Sequence, residues 1–438
     1  MKLTTPGLRR AATALGALGA SALLLAGCAG SGGPDTATAT GSGQVPTDTS
    51  GTVNILMENV PDTDIVKSLI PEFNKKYPNI KVTIEPQTYD QIRDKLVASF
   101  QAPKATYDLV VVDNVWMKDF VAANWLQPLD SRIDSTPDYD YADFFKPLTD
   151  IDTVDGKRYA VPFYNYALGY IYNVPDYEKA GLTPPTSLDE LIANSKKLVQ
   201  GDRAGIAMQP QRGYKVFEEW ANFLFAAGGT IYDDAGNYTL DTPEAKRALA
   251  AYVDLYNTAA PKNSLNWGFD EAGRSVSSGQ AASLVSYNWN LPSLNAPDGT
   301  AAKSGVGPFK LAAMPGGVDV LGSWSWAIPS NSGNADAAWA FASWLTSKPI
   351  DVERVVKGGA VIRTSSTEDQ KVLKDGFGAD YYAVVKDILS KAKPLSNQTN
   401  AEEMIQAVGT ELNEAVAGTK SIDDALRDAQ AAAEKTRG

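Results

Sequence analysis

The chain has 438 residues, of which 44% are hydrophobic, and a chain of this length normally folds into two domains around large buried cores. Its formal net charge of −12 excludes a nucleic-acid partner, which would require a basic surface. The sequence contains no histidine, which excludes a Ser-His-Asp triad, a Cys-His pair and a histidine-ligated zinc site.

The N-terminus has the features of an export signal. Basic residues precede an apolar run over residues 11–25 that is too short to span a bilayer. The run ends in Leu-Ala-Gly-Cys, which resembles the bacterial lipobox, where cleavage before the cysteine follows its lipidation. Residues 1–27 are therefore a predicted lipoprotein signal peptide, and Cys28 is the predicted lipidation site. The alternative is an ordinary secretory signal that happens to contain a cysteine.

The segment after the cysteine is a predicted tether. Residues 29–50 consist largely of Gly, Ser, Thr, Ala and Pro and contain almost no bulky apolar side chain. Such a segment cannot pack a core and is typical of a flexible linker. With Cys28 included, residues 28–50 predict a lipid-anchored tether. We therefore expect a globular body on the outer face of the bacterial cytoplasmic membrane.

The body begins with alternating strands and helices. Residues 53–57 (VNILM) predict a buried strand, and a helix with apolar residues at helical spacing follows it. An alternating strand over residues 80–84, a helix over residues 89–100 and the apolar strand of YDLVVVDN (residues 107–114) come next. This order predicts a parallel sheet with crossover helices, and therefore an α/β fold.

Polar residues follow the ends of two of these strands. Glu58 and Asn59 come after the first strand, and Asp113 and Asn114 come after the third, with Trp116 just beyond them. Ligands of open parallel sheets bind beyond the carboxyl ends of the strands, so these five residues are candidate ligand-binding residues. The alternative interpretation is a polar turn at each strand end and a packing role for Trp116.

Further strands and helices are predicted in the second half of the chain. A strand after residue 156 carries Tyr164 and Tyr166. Thr186 or Ser187 caps a helix that begins near residue 188, and Glu190 is placed for a capping box. An aromatic helix over about residues 216–227 and an apolar strand within SGQAASLVSYNWN (residues 278–290) follow.

The order of these motifs resembles the extracellular solute-binding proteins of sugar-importing ABC transporters, the maltose-binding-protein-like group. The resemblance covers nearly the whole chain from about residue 52 onward. It rests on segments such as PEFNKKYPNIKVTIE, YDLVVVDN followed by NWLQPLD, GKRYAVPFYNYALGYIYNVPDYEKAGL, and GSWSWAIPSNSGNADAAWAFASWL. No single segment identifies the family, whereas their order and spacing together with the lipobox do.

The resemblance implies a periplasmic-binding-protein-like fold, in which crossing strands join two α/β lobes and the ligand lies in the cleft between them. Closure of the cleft would be a hinge motion that the ligand favours by contacting both lobes. The implied lobes are residues 51–160 plus 321–365 and residues 167–315 plus 366–438, with crossovers near residues 161–166, 316–321 and 361–366.

The same resemblance implies a binding function without catalysis. The expected protein is a monomer that captures a monosaccharide, oligosaccharide or polyol and delivers it to membrane permease subunits served by a cytoplasmic ATPase. We expect neither a cofactor nor a bound metal, and membrane attachment only through the lipid.

A sugar cleft requires polar side chains for the hydroxyl groups and aromatic rings for the C–H faces. Tyr164 and Tyr166 lie at the first implied crossover. The remaining candidates implied by the positions of binding residues in relatives are Arg212 and Tyr214, in the loop QPQRGYKV, and Asn288 and Trp289, after an apolar strand.

Four further residues are also candidates. For three of them the sequence leaves both a binding role and a structural role open. Trp267 is either a surface-loop anchor or a cleft wall, and Arg363 either holds a hydroxyl group or ties the hinge. Trp324 and Trp326, in SWSWAIP, are predicted to share one face of a strand. We expect the Trp324 ring to face the ligand, whereas Trp326 is either cleft floor or core.

One segment departs from the family pattern. Many relatives carry an aromatic residue before their last helices, whereas this chain has PLSNQTNAEEMIQ (residues 394–406). The departure indicates a ligand that is smaller or more polar than a long maltodextrin.

Three other classes of protein remain as alternatives. An extracytoplasmic glycoside hydrolase can work with two carboxylates and no histidine. The same fold can bind a solute other than a sugar, and a structural lipoprotein would bind no small ligand. We find no Gly-x-Ser-x-Gly elbow, phosphate loop or metal-ligand cluster in the sequence. Asp138, Asp140 and Asp143 lack the glycine and the terminal glutamate of a calcium loop and are interpreted as a solvated loop.

Overall fold

The computed structural model describes residues 44–437, so Cys28 and most of the predicted tether lie outside the described residues. The strands are β1 (Gly51–Glu58), β2 (Ile80–Gln87), β3 (Leu109–Asp113), β4 (Thr153–Val154), β5 (Lys157–Arg158), β6 (Ala160–Asn173), β7 (Ser283–Tyr287), β8 (Phe309–Ala312), β9 (Val320–Ala327) and β10 (Lys393–Pro394).

Helices surround these strands, and none of those in the described part of the chain is long and apolar enough to cross a bilayer. They are α1 (Pro61–Lys76), α2 (Tyr89–Gln101), α3 (Met117–Ala122), α4 (Asp130–Ser135), α5 (Lys146–Ile151), α6 (Val174–Ala180), α7 (Leu188–Lys197), α8 (Tyr214–Ala226), α9 (Pro243–Thr258), α10 (Phe269–Ser277), α11 (Asn290–Leu294), α12 (Thr300–Lys303), α13 (Ala335–Leu345), α14 (Lys348–Val356), α15 (Gln370–Asp375), α16 (Ala379–Lys391), α17 (Ala401–Val416) and α18 (Ile422–Lys435).

The first three strands form the predicted parallel sheet. Strand β1 pairs in parallel with β2 on one side and with β3 on the other, and α1 and α2 are the crossover helices. All five residues of β3 are buried, as expected for a central strand covered on both faces. Because the strands are parallel, Glu58 at the end of β1 and Asp113 at the end of β3 lie at the same edge of the sheet.

Strands β9 and β6 extend this sheet through antiparallel pairings, so the complete sheet is mixed. The order of its main strands is β2-β1-β3-β9-β6-β7. Strand β9 lies between β3 and β6, and its Trp324 is opposite Asp113 on one side and opposite Tyr164 on the other. The parallel arrangement predicted from the sequence is therefore confirmed for β1 to β3, whereas the pairings of β9 with β3 and with β6 are antiparallel.

Strand β6 connects two parts of the molecule. Its first half, residues 160–167, pairs with β9, with an irregularity between Pro162 and Tyr164. Its second half, residues 168–173, pairs with β7 and β8. One continuous strand of 14 residues thus runs from the sheet of β1 to β3 into the sheet of β7 and β8.

Local signals end one helix and begin the next in this second part, and the predicted cap of α7 is confirmed. Gly181, with a φ of 62°, ends α6 in the left-handed conformation that glycine adopts without strain. The Ser187 hydroxyl accepts a hydrogen bond from the Glu190 amide, and the Glu190 carboxylate accepts one from the Thr186 amide. The capping box therefore includes the residue before the cap.

Helix α17 packs closely against the start of α8, and also against α9 and α18. A Cβ atom added at Gly409 would lie 1.9 Å from the carbonyl oxygen of Gly213, which precedes α8. Only a residue without a side chain permits this approach. The position of α17 relative to α8 is therefore set by backbone contact.

One carboxyl group is buried behind β9. Asp152 follows α5 and has no exposed surface. Burial raises its pKa from 3.8 to about 8, and the nearby Ser325 hydroxyl offsets only part of this effect. The folded chain therefore binds a proton at this site at pH values where the unfolded chain has released it.

We expect this proton to make the fold less stable as pH rises. Between pH 3.8 and about 8 the folded state binds more protons at Asp152 than the unfolded state does, so the free energy of unfolding decreases with pH across this window. Asp152→Asn removes the ionisation and should stabilise the chain more at about pH 8 than at about pH 5, as measured by urea unfolding. Asp155→Asn, at an exposed position three residues away, is the matched control. An equal effect of Asp152→Asn at both pH values would contradict the prediction.

Candidate functional site

A cavity of about 1100 Å³ lies beyond the carboxyl ends of β1 and β3. Its aromatic lining residues are Tyr89, Tyr164, Tyr166, Tyr214, Phe269, Tyr287, Trp289, Trp324 and Phe377. Its charged lining residues are Glu58, Asp62, Asp64, Arg212, Lys215, Asp270 and Lys357. The lining thus combines flat apolar rings with hydrogen-bonding groups of both charges.

The floor of the cavity is built by the register of β6 and β9. Tyr164 and Trp324 are opposite each other in these strands, and their rings stack with centroids 5.6 Å apart at an angle of 17°. The Tyr164 hydroxyl donates a hydrogen bond to Oε2 of Glu58, at 2.5 Å. The sheet therefore fixes an aromatic surface directly beside a carboxylate.

Burial changes the acidity of two carboxyl groups at this edge of the sheet. Burial raises the pKa of Glu58, although the Tyr164 hydrogen bond and the charge of Lys215 act in the opposite direction. The pKa of Asp113 is raised well above its ordinary value, first by burial and then by the charge of Glu58. The Tyr89 hydroxyl donates to Asp113 at 3.1 Å. Each of these buried carboxyl groups thus accepts a hydrogen bond from a tyrosine hydroxyl in place of one from water.

A second group of aromatic rings forms another wall of the cavity. Tyr287, at the end of β7, contacts three other rings of the lining. Its centroid is 4.4 Å from that of Tyr166, 5.0 Å from that of Phe269 and 5.5 Å from that of Trp289. The last two contacts are nearly parallel, with interplanar angles of 27° and 23°. The rings hold one another in place, so the wall exists without a ligand.

Several charges of the lining are already paired within the protein. The pairs are Lys215–Glu218, Arg212–Glu414 and Asp62–Arg354, with N–O distances of 2.9, 3.5 and 3.1 Å. Lys215 also donates a hydrogen bond to the Tyr287 hydroxyl. These pairs leave the cavity without a strong excess of either charge.

Of the residues predicted from the sequence, more than half line this cavity. They are Glu58, Asn59, Tyr164, Tyr166, Arg212, Tyr214, Trp289 and Trp324. Residues from widely separated parts of the chain, including the first predicted crossover, are therefore brought together.

Three predicted residues lie behind the lining and support it. Asp113 is bonded to the lining residue Tyr89. The Asn114 side chain is buried and accepts a hydrogen bond from the Ser323 amide, at 3.2 Å. Trp116 is buried as well, and it borders a smaller neighbouring cavity of about 420 Å³. Placement at a strand end thus does not by itself give access to the central cavity.

Asn288 and Trp267 also lie outside the lining. The buried Asn288 side chain accepts from the Ala167 amide at 2.9 Å and donates to the Tyr381 hydroxyl at 3.2 Å. The half-buried Trp267 follows a short turn, where its carbonyl oxygen accepts from the Gln211 amide. Their contacts fit a structural role for both residues.

Trp326 belongs to the core. It is fully buried, and its ring centroid lies 4.4 Å from that of Phe163 and 6.4 Å from that of Phe341. Of the two interpretations left open by the sequence, the structure favours core over cleft floor. Trp324, two residues earlier, is only 1% exposed as well, and it differs from Trp326 in its neighbours, because it contacts the rings of the lining residues Tyr164 and Tyr89.

Arg363 ties loops together at a distance from the lining. Its buried guanidinium donates to the carbonyl oxygens of Tyr139, Asp140 and Thr346, at 2.8, 2.9 and 2.7 Å. It also pairs with Asp143 at 3.4 Å. These contacts account for the side chain without a ligand hydroxyl. Within residues 44–437, no group of acidic or cysteine side chains is arranged to hold a metal ion.

Some lining residues were not predicted. Tyr89 follows the carboxyl end of β2, so the rule that selected Glu58 and Asp113 also selects Tyr89 when it is applied to the second strand. Tyr287 is the last residue of β7, next to the predicted Asn288. Its place at the end of a strand, beside Asn288, is the signal from which it could have been predicted. Lys215 and Phe377 carry no such signal, because only the packing of α8 and of the α15–α16 loop brings them here.

Known proteins that resemble this chain are binding proteins of bacterial transporters. The model of the bacterial extracellular solute-binding protein family matches residues 59–351. A mannitol-binding protein of Pseudomonas aeruginosa is 25% identical over 406 residues, which cover 86% of this chain and 91% of that protein. A probable amino-acid ABC transporter periplasmic-binding protein of Sinorhizobium fredii is 24% identical over 352 residues, which cover 78% of this chain and 79% of that protein.

A solved structure shares the fold over almost its whole length. An ABC transporter solute-binding protein from Agrobacterium radiobacter, in complex with ribitol, superposes with a TM-score of 0.76 at 25% identity and covers 89% of this chain and 99% of that one. The family match spans more than half of the chain and confirms the resemblance seen in the sequence. The chain therefore belongs to the bacterial extracellular solute-binding protein family, whose members have a two-lobed α/β fold and are transport binding proteins rather than enzymes.

Proposed function

We propose that the chain is the extracytoplasmic substrate-binding lipoprotein of an ABC importer, and that it captures a sugar or polyol in the central cavity for delivery to the permease. The observation that carries this proposal is the cavity floor, where the stacked rings of Tyr164 and Trp324 lie beside the carboxyl group of Glu58. Aromatic faces match the C–H surface of a polyol, and the carboxylate accepts hydrogen bonds from its hydroxyl groups.

The balance of charge supports a neutral ligand. Lys215, Arg212 and Asp62 each have an ion-pair partner within the protein. A strongly charged ligand would have to displace these partners, whereas hydroxyl groups can bond to paired charges. Each such hydrogen bond contributes only about 1 kcal/mol net, so several must act together, and the lining supplies several donors and acceptors.

The relatives support the same class of ligand. One of the aligned proteins is named for mannitol, and the superposed structure holds ribitol. The relative named for amino acids makes amino acids the principal competing ligands. The cavity of about 1100 Å³ leaves room for an oligosaccharide as well as for a single polyol.

We assign the lobes to residues 51–160 plus 321–365 and residues 167–315 plus 366–438, with hinges near residues 161–166, 316–321 and 361–366. The pairing of β6 supports the first hinge, because the strand changes from pairing with β9 to pairing with β7 at residues 167–168, directly after this stretch. A ligand that contacts residues of both lobes stabilises the closed arrangement. We also assign lipidation to Cys28, on the sequence of the lipobox alone.

A thermal-shift screen tests the ligand class. The panel contains polyols, mono- and oligosaccharides, and amino acids. A ligand present at 100 times its Kd stabilises the fold by about 2.7 kcal/mol, which raises Tm by about 3 °C for a chain of this size. We expect this shift with at least one sugar or polyol. A shift with amino acids alone would refute the proposed ligand class, and turnover of a chromogenic glycoside would instead support a hydrolase.

The two tryptophans of β9 should separate binding from stability. Trp324→Ala removes the floor of the cavity, and we expect polyol affinity to fall about tenfold or more, from the loss of stacking and apolar contact. Trp326→Ala creates a void in the core and should lower the free energy of unfolding by about 3–5 kcal/mol with little change in affinity. Trp324→Ala should destabilise less, because water can enter the space from the cavity. Titration calorimetry and urea unfolding measure both quantities, and equal losses of affinity would contradict the assignment.

Affinity should depend on the ionisation of Glu58. Since burial raises the pKa of this carboxyl group, it begins to take up a proton at a higher pH than an exposed glutamate does. The protonated group is a weaker acceptor for ligand hydroxyls, so affinity should fall as pH decreases from neutrality. Glu58→Gln should bind more weakly at neutral pH and show a flatter pH profile in titration calorimetry. A variant that retains the full pH dependence would show that another group is responsible.

A further inference from the structure

Trp116 makes a specific polar contact away from the central cavity. Its ring is 1% exposed, and its Nε1 donates a hydrogen bond to Oε2 of Glu402, at 2.8 Å. Nε of Arg93 lies 3.6 Å from the same oxygen. Glu402 is in the first turn of α17, where a carboxylate also interacts favourably with the helix dipole. One carboxylate thus joins α17 to α2 and to the segment after β3.

A second contact joins the same two parts of the chain. The amide of Asn400, which precedes α17, donates to Oδ1 of Asp119 in α3, at 2.9 Å. Two hydrogen bonds and one close charge pair therefore meet at the start of a single helix. The start of α17 is therefore bound to residues of α2, of α3 and of the turn between β3 and α3.

The residues joined by these contacts lie in different lobes, as the lobes are assigned above. Arg93, Trp116 and Asp119 belong to the part built on β1 to β3. Helix α17 packs mainly against α8, α9 and α18, all of which belong to the second assigned lobe. The contacts at the start of α17 consequently cross between the lobes, and the inference rests on the proposed function in that it uses these lobes and their closure.

Both partners are one contact away from the ligand cavity. The Trp116 ring meets Trp324 edge to face with centroids 5.3 Å apart, and it lies 5.7 Å from the ring of Tyr89. Trp324 and Tyr89 line the cavity, and so does Gln406, one turn after Glu402 on α17. The interlobe bond therefore lies directly behind residues that a ligand would touch.

We propose that the Glu402–Trp116 hydrogen bond is a latch that stabilises the closed arrangement of the lobes. Glu402 and Trp116 then act as positioning residues that raise ligand affinity without contacting the ligand. The physical reason is the population of the closed state: observed affinity is proportional to the fraction of molecules in the binding-competent arrangement. Separation of the lobes breaks the bond, so its free energy adds only to the closed state.

Three substitutions test the latch in the full-length chain, with D-mannitol and ribitol as probes. Trp116→Phe keeps a ring but removes the donor, and Glu402→Ala removes the acceptor. Each should weaken affinity about tenfold, as expected for loss of a hydrogen bond to a charged group. Glu402→Gln keeps an acceptor oxygen and should weaken affinity less than about threefold. The Trp116→Phe/Glu402→Ala double variant should be no weaker than the weaker single variant.

Glu403→Ala is the matched control. Glu403 is the exposed neighbour of Glu402 in the same helical turn and carries the same charge. Its removal should leave affinity within about twofold of the parent, since exposed charges contribute little. A loss equal to that of Glu402→Ala would show that net charge, and not the bond to Trp116, controls affinity, and would overturn the latch.

A second measurement needs no ligand. The sequence has one cysteine, so Cys28→Ser permits paired nitroxide labels at Lys67→Cys in α1 and Lys303→Cys in α12, both at exposed positions. Glu402→Ala should shift the distribution of label distances in the ligand-free chain, and Glu403→Ala should not. If the parent binds neither polyol, the proposed ligands are wrong, while the label distances still decide on the latch. Lower Tm with unchanged distances would show that the bond is only structural and would overturn the proposal.

Discussion

The hydrogen-bonding register of β9 between β3 and β6 is the constraint on which the site depends. It sets Trp324 beside Asp113 on one side and beside Tyr164 on the other. A shift of one residue would turn Trp324 to the opposite face of the sheet and place a serine at the floor of the cavity. Because β3 is parallel to β1, the same register also places Glu58 within reach of the Tyr164 hydroxyl. The chemistry at the floor is thus a property of the sheet and not of flexible loops.

This arrangement concentrates acidic groups where water is scarce. Glu58 and Asp113 both have a raised pKa because they are buried, and each is bonded to a tyrosine hydroxyl. A hydroxyl donor satisfies a carboxylate without neutralising it. Each carboxyl group at the edge of the sheet therefore has acceptor sites beyond the one that its tyrosine occupies. A ligand with several hydroxyl groups can donate hydrogen bonds to such sites.

The sequence predicted the local features well and the long-range ones only in part. Strand alternation and the strand-end rule identified Glu58 and Asn59, and the family resemblance identified Tyr164 and Tyr166, all of which line the cavity. The same rule selected Asn114, which is buried behind the lining, because strand order does not determine side-chain direction after the strand ends. The separation of Trp324 from Trp326 depends on neighbours in β6 and α13, which are distant in sequence. Periodicity describes one element at a time, whereas these roles arise from contacts between elements.

The close contact between Gly409 and Gly213 has a consequence for how the sequence can vary. Gly213 directly precedes Tyr214 and Lys215, and Gly409 lies one turn after Gln406, so both glycines adjoin residues of the cavity lining. A methyl group at Gly409 would push α17 away from α8 and move both sets of lining residues together. Two glycines almost two hundred residues apart thus form a single spacing element. The tolerance of Gly409 to substitution is therefore governed by the width of the cavity and not by the helical propensity of α17, whereas Gly213, with a φ of 88°, also requires the conformational freedom of glycine.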